Sequence, residues 1–106
     1  MATSVQDLLV HLLPVLEPSQ RRVLLDRLGQ LADADKQFAP AAQWYLQAAT
    51  QLPQADGFAG QSRLDAAASL DNAGWHEDAG LQYELVLKTS SDAAQQAAAS
   101  YALGTR

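Results

Sequence analysis

The side chains that could carry chemistry are few in this sequence and lie far apart along it. His11 and His76 are the two histidines, and neither has a second histidine or a cysteine at the spacing of a metal site. Glu77 and Asp78 form an acidic pair at the predicted start of a helix, where the helix dipole favours negative charge. We therefore expect no metal site, and we interpret the acidic pair as stabilising a helix end.

Motifs for nucleotide binding and nucleophilic catalysis are also missing from the sequence. The glycine-containing stretches FAGQS (58–62) and DNAG (71–74) lack the spacing of a phosphate-binding loop. No serine, histidine and aspartate stand out as a catalytic triad, although spatial neighbours can be distant in sequence. We expect no cofactor and no enzymatic activity, and a helical enzyme with a site of scattered polar residues is left as a third hypothesis.

The charge of the chain restricts the classes of partner. Its 106 residues carry a formal net charge of -5, whereas nucleic-acid-binding proteins normally present a basic patch. The same charge argues against binding to an anionic membrane surface. No run of about 18 apolar residues occurs, and the apolar N-terminus lacks the basic start of a signal peptide. We expect one domain, no nucleic acid, no membrane insertion and a cytoplasmic location.

Apolar residues recur at helical spacing along nearly the whole chain, and no alternating strand pattern is sustained. The pattern predicts an all-α fold of about six short antiparallel helices, because short connections favour antiparallel neighbours. Ser4 is the expected N-cap of the first helix, Pro14 is expected to kink or end it, and Ser90 or Ser91 is the expected N-cap of the last. The six predicted helices cover residues 5–16, 18–34, 40–52, 58–73, 76–88 and 90–104.

The stretch from residue 25 to residue 53, LDRLGQLADADKQFAPAAQWYLQAATQLP, resembles a tetratricopeptide repeat. A weaker second copy follows, in which Ala79 and Tyr83 repeat the pair Ala41 and Tyr45. The resemblance implies helical hairpins stacked as a short α-solenoid within a single domain, residues 1–106. Its parts are an N-terminal capping helix (1–20), a first hairpin (21–55), a degenerate second hairpin (56–89) and a C-terminal capping helix (90–106). The residues that carry the first copy are Leu25, Leu28, Gly29, Ala32, Ala41, Tyr45, Ala48 and Pro53.

The resemblance implies a non-catalytic protein-interaction module, such as an adaptor, a scaffold or the helical domain of a larger assembly. In this family the first helix of each hairpin lines a concave groove that holds a peptide or a helix. The groove is mildly acidic here, so a basic or amphipathic partner segment is expected. By resemblance the partner-binding residues are Val23, Asp26, Gln30, Asp33, Leu64, Ala68 and Asp71. We expect the double substitution Asp26→Arg and Asp33→Arg to weaken partner binding without unfolding the chain.

Self-association is the alternative function. The fifth predicted helix is apolar on two sides, and a helix of this kind is usually covered on both. If the last helix covers only one side, Leu81 and Leu85 mark a surface through which two copies of the chain would form a homo-oligomer, such as a homodimer.

Overall fold

A computed structural model describes residues 5–51 and 57–105 of the chain, and in these residues all regular secondary structure is helical. Within these ranges six α-helices and one short 3-10 helix follow one another, and no strand is present. The predicted N-cap Ser4 and the predicted stop Pro53 lie outside the described residues. The helices are α1 (Val5–Leu12), the 3-10 helix Leu13–Val15, α2 (Pro18–Ala34), α3 (Phe38–Ala49), α4 (Gly57–Asn72), α5 (His76–Thr89) and α6 (Ala93–Gly104).

α3 begins at Phe38 and ends at Ala49, whereas the sequence predicted residues 40–52. Two other helix ends differ from the prediction for identifiable reasons. The first helix ends at Leu12, because Pro14 lacks an N–H group and the chain tightens into a 3-10 turn around it. The last helix begins at Ala93, and its N-cap is Asp92 instead of Ser90 or Ser91. The Asp92 carboxylate accepts a hydrogen bond from the amide of Gln95 at 2.9 Å, which satisfies a free helical donor.

From α2 to α6, helices that follow one another in the sequence pack together, and α4 also contacts α6. The result is a flat, elongated body that measures 46 × 29 × 17 Å. Its core is built mainly from alanine, leucine and two tyrosines, so the helices approach one another closely. The buried apolar side chains include Leu25, Leu28, Ala32, Ala41, Ala42, Tyr45, Ala48, Ala66, Ala67, Leu70, Ala79, Tyr83, Val86 and Ala99.

The contact between Gly29 and Tyr45 shows how close this approach is. A Cβ atom added to Gly29 would lie 2.6 Å from Cε1 and 2.7 Å from Cδ1 of the Tyr45 ring. Tyr45 is 3% exposed, and one edge of its ring contacts α2 at Gly29. The absence of a side chain at Gly29 therefore leaves the space that this ring occupies.

The turns inside the two hairpins repeat each other at an interval of 38 residues. Lys36 and Gly74 both adopt a left-handed conformation, with φ of 59° and 87°. This conformation at the end of a helix allows the following amides to bond back to the last helical carbonyls. The bonds that close the two turns have the same length, 2.8 Å: Gln37 N to Ala32 O and Trp75 N to Leu70 O.

The repeated turn predicts opposite effects for two matched substitutions. A left-handed conformation costs a residue with a side chain about 1–2 kcal/mol but costs glycine almost nothing. Lys36→Gly is therefore expected to stabilise the fold by about 0.5–1 kcal/mol, after the greater flexibility of glycine in the unfolded chain is subtracted. Gly74→Ala is expected to destabilise it by about 1 kcal/mol, although a Cβ there meets no atom within 4 Å. Urea unfolding measures the free energy of unfolding of both variants. Changes of the same sign relative to the native chain would contradict the prediction.

Candidate functional site

Two aspartates of α2 reach across to two buried serines of α4. Ser69 donates to Asp33 at 2.8 Å, and Ser62 donates to Asp26 at 3.3 Å. Both serines are almost completely buried, with 0% and 1% of their surface exposed. Asp33 also accepts a bond from the Tyr45 hydroxyl at 3.2 Å, so the first hairpin is tied to the second along a line of carboxylates.

Asp65 on α4 adds a third carboxylate to this line. Its side chain is half-buried and accepts a hydrogen bond from Gln61 at 3.0 Å. Burial raises the pKa of Asp65, and the negative charges of Asp26 and Asp33 raise it further. Within residues 5–51 and 57–105, none of the three carboxylates forms a salt bridge with a lysine or an arginine. We refer to Asp26, Asp33 and Asp65 as the carboxylate line.

Burial and neighbouring charges shift the pKa values of the groups in and around the carboxylate line. Burial raises the pKa of Asp26, and this outweighs the hydrogen bonds from Ser62 and Gln30 and the charge of Arg27, which lower it. Burial also raises the pKa of the Tyr45 hydroxyl, and the Asp33 carboxylate beside it adds to the effect. The site therefore holds negative charge in a partly desolvated place, where an added cation would be favoured.

The raised pKa of Asp65 predicts a pH-dependent stabilisation by Asp65→Asn. The folded chain binds this proton more tightly than the unfolded chain, whose carboxyl has an ordinary pKa of 3.8. The ionised Asp65 therefore lowers the stability at neutral pH, and this cost disappears as the pH falls through the raised pKa to below 3.8. We expect Asp65→Asn to be more stable than the native chain at pH 7 and equal to it at about pH 3.

Thermal unfolding between these two pH values checks the prediction. The exposed Glu84 of α5 provides the matched control, since Glu84→Gln removes the same charge away from the carboxylate line. A stabilisation by Asp65→Asn that is constant with pH would indicate that removal of the carboxylate charge is not its cause.

The structure brings some of the predicted partner-binding residues together with the carboxylate line. Gln30 is exposed on α2 and donates to Asp26 at 3.0 Å. Ala68 is exposed on α4. Asp71 lies at the end of α4, where its carboxylate is 2.8 Å from Nδ1 of His76. Asp26, Gln30 and Asp33 thus form one surface, and Asp71 belongs to the turn beside it.

Val23 precedes Asp26 by three residues and Gln30 by seven, so it lies on the same side of α2 as these two residues. Its side chain is 58% exposed and also lines an open apolar depression of about 520 Å³ at the N-terminal end of the molecule. The depression is lined by Leu12, Leu16, Ser19, Gln20, Val23, Leu24 and Arg27.

Leu64 is mostly buried and lines a cavity, whereas the resemblance implied that it lies in an open groove. Its side chain is 9% exposed and packs in the core formed by α4, α5 and α6. A cavity of about 430 Å³ lies beside it, between α4 and α6. The side chains that line this cavity are Gln61, Leu64, Tyr83, Asp92, Ala94, Gln95, Ala98 and Ala102.

The predicted self-association surface on α5 is less apolar than the pattern indicated. Leu81 is 58% exposed, but Leu85 is partly buried. On the helix surface the neighbours of Leu81 at three and four residues are Glu77, Asp78, Glu84 and Leu85, and the three acidic ones are exposed. Acidic side chains therefore flank Leu81 on α5.

Sequence reasoning missed Ser62, Ser69 and Asp65. The two serines are small polar residues in an apolar helical stretch, and such residues are usually assigned to solvent-facing positions. A signal for them existed, because Asp26–Ser62 and Asp33–Ser69 are both separated by 36 residues. A pair of polar contacts with one common separation is what stacked repeats of nearly this length would produce.

These contacts lead us to revise one expectation from the sequence. The double substitution Asp26→Arg and Asp33→Arg was expected to leave the fold intact, as would hold for two solvated side chains. Both aspartates are hydrogen-bond acceptors of buried serines, so we now expect their exchange for arginine to disturb the contact between α2 and α4.

The described residues include no group of three or more histidine, aspartate or glutamate side chains arranged to hold a metal ion. No helix in the same part of the chain is both long and apolar enough to cross a membrane. No family model matches this sequence, and neither a curated protein nor a solved structure gives a match.

Proposed function

We propose that this chain is a non-catalytic protein-interaction module that binds a basic or amphipathic peptide or helix across α2 and α4. The observation that carries the proposal is the carboxylate line, three half-buried aspartates that form no salt bridge with a lysine or an arginine in the described ranges. A partly desolvated cluster of like charges lowers the stability of the fold, so a function in binding would explain its presence. Carboxylates with perturbed pKa values are often found at functional sites.

A tetratricopeptide-like arrangement of the hairpins supports this function. Neighbouring helices pack in sequence order, the turns at Lys36 and Gly74 are equivalent, and Gly29 lets α3 approach α2 closely. In such an array α2, α4 and α6 are the first helices of successive units and share one face. Asp65, Ala68 and Gln30 are exposed or half-exposed and would lie on that face.

A cationic partner would relieve the electrostatic strain of the carboxylate line. A lysine or arginine placed beside Asp65 offsets the repulsion from Asp26 and Asp33, which raises the pKa of Asp65 in the free protein. The pKa of Asp65 should fall when the partner binds. Binding should weaken as salt increases, since the partner would meet carboxylates that are only half-buried.

The proposal is tested by affinity capture with identification of the bound proteins by mass spectrometry. The site variant is Asp26→Asn, Asp33→Asn and Asp65→Asn, because asparagine removes each charge but can still accept the serine hydrogen bond. The matched control is Glu77→Gln, Asp78→Asn and Glu84→Gln, which removes three charges from exposed positions on α5. The native chain and the control should retain the same partner, and the site variant should lose it.

Recovery of the same proteins by all three chains would contradict the proposal. Circular dichroism and thermal unfolding of the three chains exclude loss of the fold as the reason for lost binding.

Self-association is the second candidate function, and one observation favours it. Large apolar side chains are exposed at the N-terminal end, where Leu8 is 56%, Leu12 48% and Val15 77% exposed. Apolar patches of this kind often mark interfaces. The involvement of Leu81 and Leu85 in self-association stays a prediction. Sedimentation velocity over a concentration series tests it, and a monomer at high concentration would remove it.

A further inference from the structure

The two crevices between successive first helices, α2 with α4 and α4 with α6, are built differently. A tyrosine from the second helix of each hairpin lies beneath each crevice: Tyr45 under the first and Tyr83 under the second, 38 positions later. The first crevice is closed by the hydrogen bonds that Ser62 and Ser69 donate to the aspartates of α2. The second crevice contains the cavity of about 430 Å³.

Apolar side chains line the second crevice, whereas hydrogen-bonded polar pairs close the first. Leu64 of α4 and Ala98 of α6 both line the cavity, and neither has a polar side-chain atom that could form a bond like that of Ser62 with Asp26. Ala94, Ala98 and Ala102 are spaced one helical turn apart, so α6 presents a row of methyl groups to the cavity.

A buried glutamine joins α6 to α4 at one end of the cavity. Gln95 is 8% exposed, accepts a bond from Ser90 at 2.7 Å and donates to the carbonyl of Gly57 at 2.7 Å. Its side chain occupies the space next to Gly60, where a Cβ atom would collide with it. Gln95 therefore sets the distance between the start of α6 and the start of α4.

We propose that the cavity between α4 and α6 is an anchor pocket for an apolar side chain of leucine to phenylalanine size on a cationic partner segment. This inference rests on the proposed function. The charge of the rim determines the choice of occupant: Asp92 lines the cavity, and Gln61 lines it while donating to Asp65 of the carboxylate line. Gln61 and Asp65 are one helical turn apart, roughly 6 Å, so one short segment can reach both.

The pocket gives the partner segment an affinity that charge alone would not provide. Alanine and leucine walls bind by burial of apolar surface, and a buried aromatic or aliphatic anchor commonly dominates the energy of an interface. The carboxylate line would attract the segment and orient it. The anchor would then determine which basic segments bind tightly.

A set of synthetic peptides tests the pocket directly. The host is a fluorescent twelve-residue lysine-rich peptide without large apolar residues, and in each other member one phenylalanine is moved along the host. Fluorescence anisotropy measures the dissociation constants. We expect salt-sensitive binding of the host and at least about tenfold tighter binding when the phenylalanine stands at the matching position.

Two cavity-filling substitutions and one control locate the effect. Ala98→Phe and Ala94→Phe place a ring in the cavity, whereas Ala97→Phe places the same ring on an exposed position of α6 that does not line it. The first two should abolish the preference for phenylalanine and leave binding of the host unchanged. Ala97→Phe should keep the preference. Because either filled variant alone suffices, failure of one to fold leaves the other as the test.

The outcomes separate this inference from the proposed function. Equal affinity for the host and for every phenylalanine peptide, or a preference that survives both filled variants, would overturn the pocket and leave the function standing. A phenylalanine preference that is lost in Ala98→Phe, together with host binding that is unaffected by the three aspartate-to-asparagine changes, would support the pocket and overturn the role of the carboxylate line. If no peptide binds the native chain, both are overturned.

Discussion

Exchange of Asp26 and Asp33 for arginine is expected to destabilise the fold by about 2–6 kcal/mol, at about 1–3 kcal/mol for each of the two buried serines that lose their acceptor. Ser62 and Ser69 lose their acceptors in this variant, and the Tyr45 hydroxyl loses the carboxylate at 3.2 Å. Typical domains are stable by only about 5–15 kcal/mol, so a large part of the chain population could unfold at ambient temperature.

Chemical denaturation of two comparison variants identifies the cause. Asp26→Asn with Asp33→Asn keeps an acceptor for each serine and should lose much less stability than the arginine variant. Gln30→Arg with Asp35→Arg adds arginine at two exposed positions on and next to α2 and should have little effect. If the Asp26 and Asp33 arginine variant is as stable as this control, the aspartate–serine bonds do not hold α2 to α4.

The second large expected effect comes from Gly29→Ala, which should destabilise the fold by about 1–3 kcal/mol, the usual cost of overpacking a core. Alanine has the better helix propensity by about 1 kcal/mol, so propensity alone predicts the opposite sign. The new methyl group would lie 2.6 Å from the Tyr45 ring, and the ring is held by its hydrogen bond to Asp33. The steric cost should therefore exceed the gain in propensity.

A glycine elsewhere and a double-mutant cycle check this reasoning by denaturant unfolding. Gly104→Ala meets no atom within 4 Å and should be neutral or slightly stabilising. In a Tyr45→Leu background the ring is absent, and Gly29→Ala should lose most of its cost. An equal cost in both backgrounds would show that the ring of Tyr45 is not what excludes the methyl group.

The carboxylate line combines a structural and a proposed binding role in the same side chains. Asp26 and Asp33 each accept a hydrogen bond from a buried serine, and among the described residues Asp65 accepts a side-chain hydrogen bond from Gln61 alone, across one turn of α4. Asp65 can therefore be changed with the least harm to the fold. For this reason binding experiments should rely on asparagine at the first two positions, which preserves the hydrogen bonds between the hairpins.

Most of the fold could be predicted from the sequence because it depends on local patterns. The start of α2 follows from Pro18, which is favoured in a first helical turn. The start of α5 follows from the acidic first turn at Glu77 and Asp78. The start of α6 was predicted less well, because Ser90, Ser91 and Asp92 are all good N-caps. The choice among them depends on Gln95, whose side chain must reach the carbonyl of Gly57 in another helix.

The candidate site could be predicted only in part. The resemblance placed Asp26, Gln30 and Asp33 on one surface, and the structure brings them together. It could not show that Val23 also lines an apolar depression or that Trp75 is 49% exposed, because both depend on the packing of neighbouring helices. Trp44, in contrast, is partly buried and packs against the core.

The sequence by itself determined an all-helical chain, the order of its helices, the glycine that lets α3 approach α2, and the acidity of the surface. These properties depend on residues within a few turns of one another, where propensity, capping and spacing decide. Only the tertiary structure decided that Asp26 and Asp33 bind buried serines and that Leu64 faces a cavity above Tyr83. The physical reason is that these contacts join residues about 36 positions apart, and the register between hairpins sets whether two such positions close into a bond or leave a space.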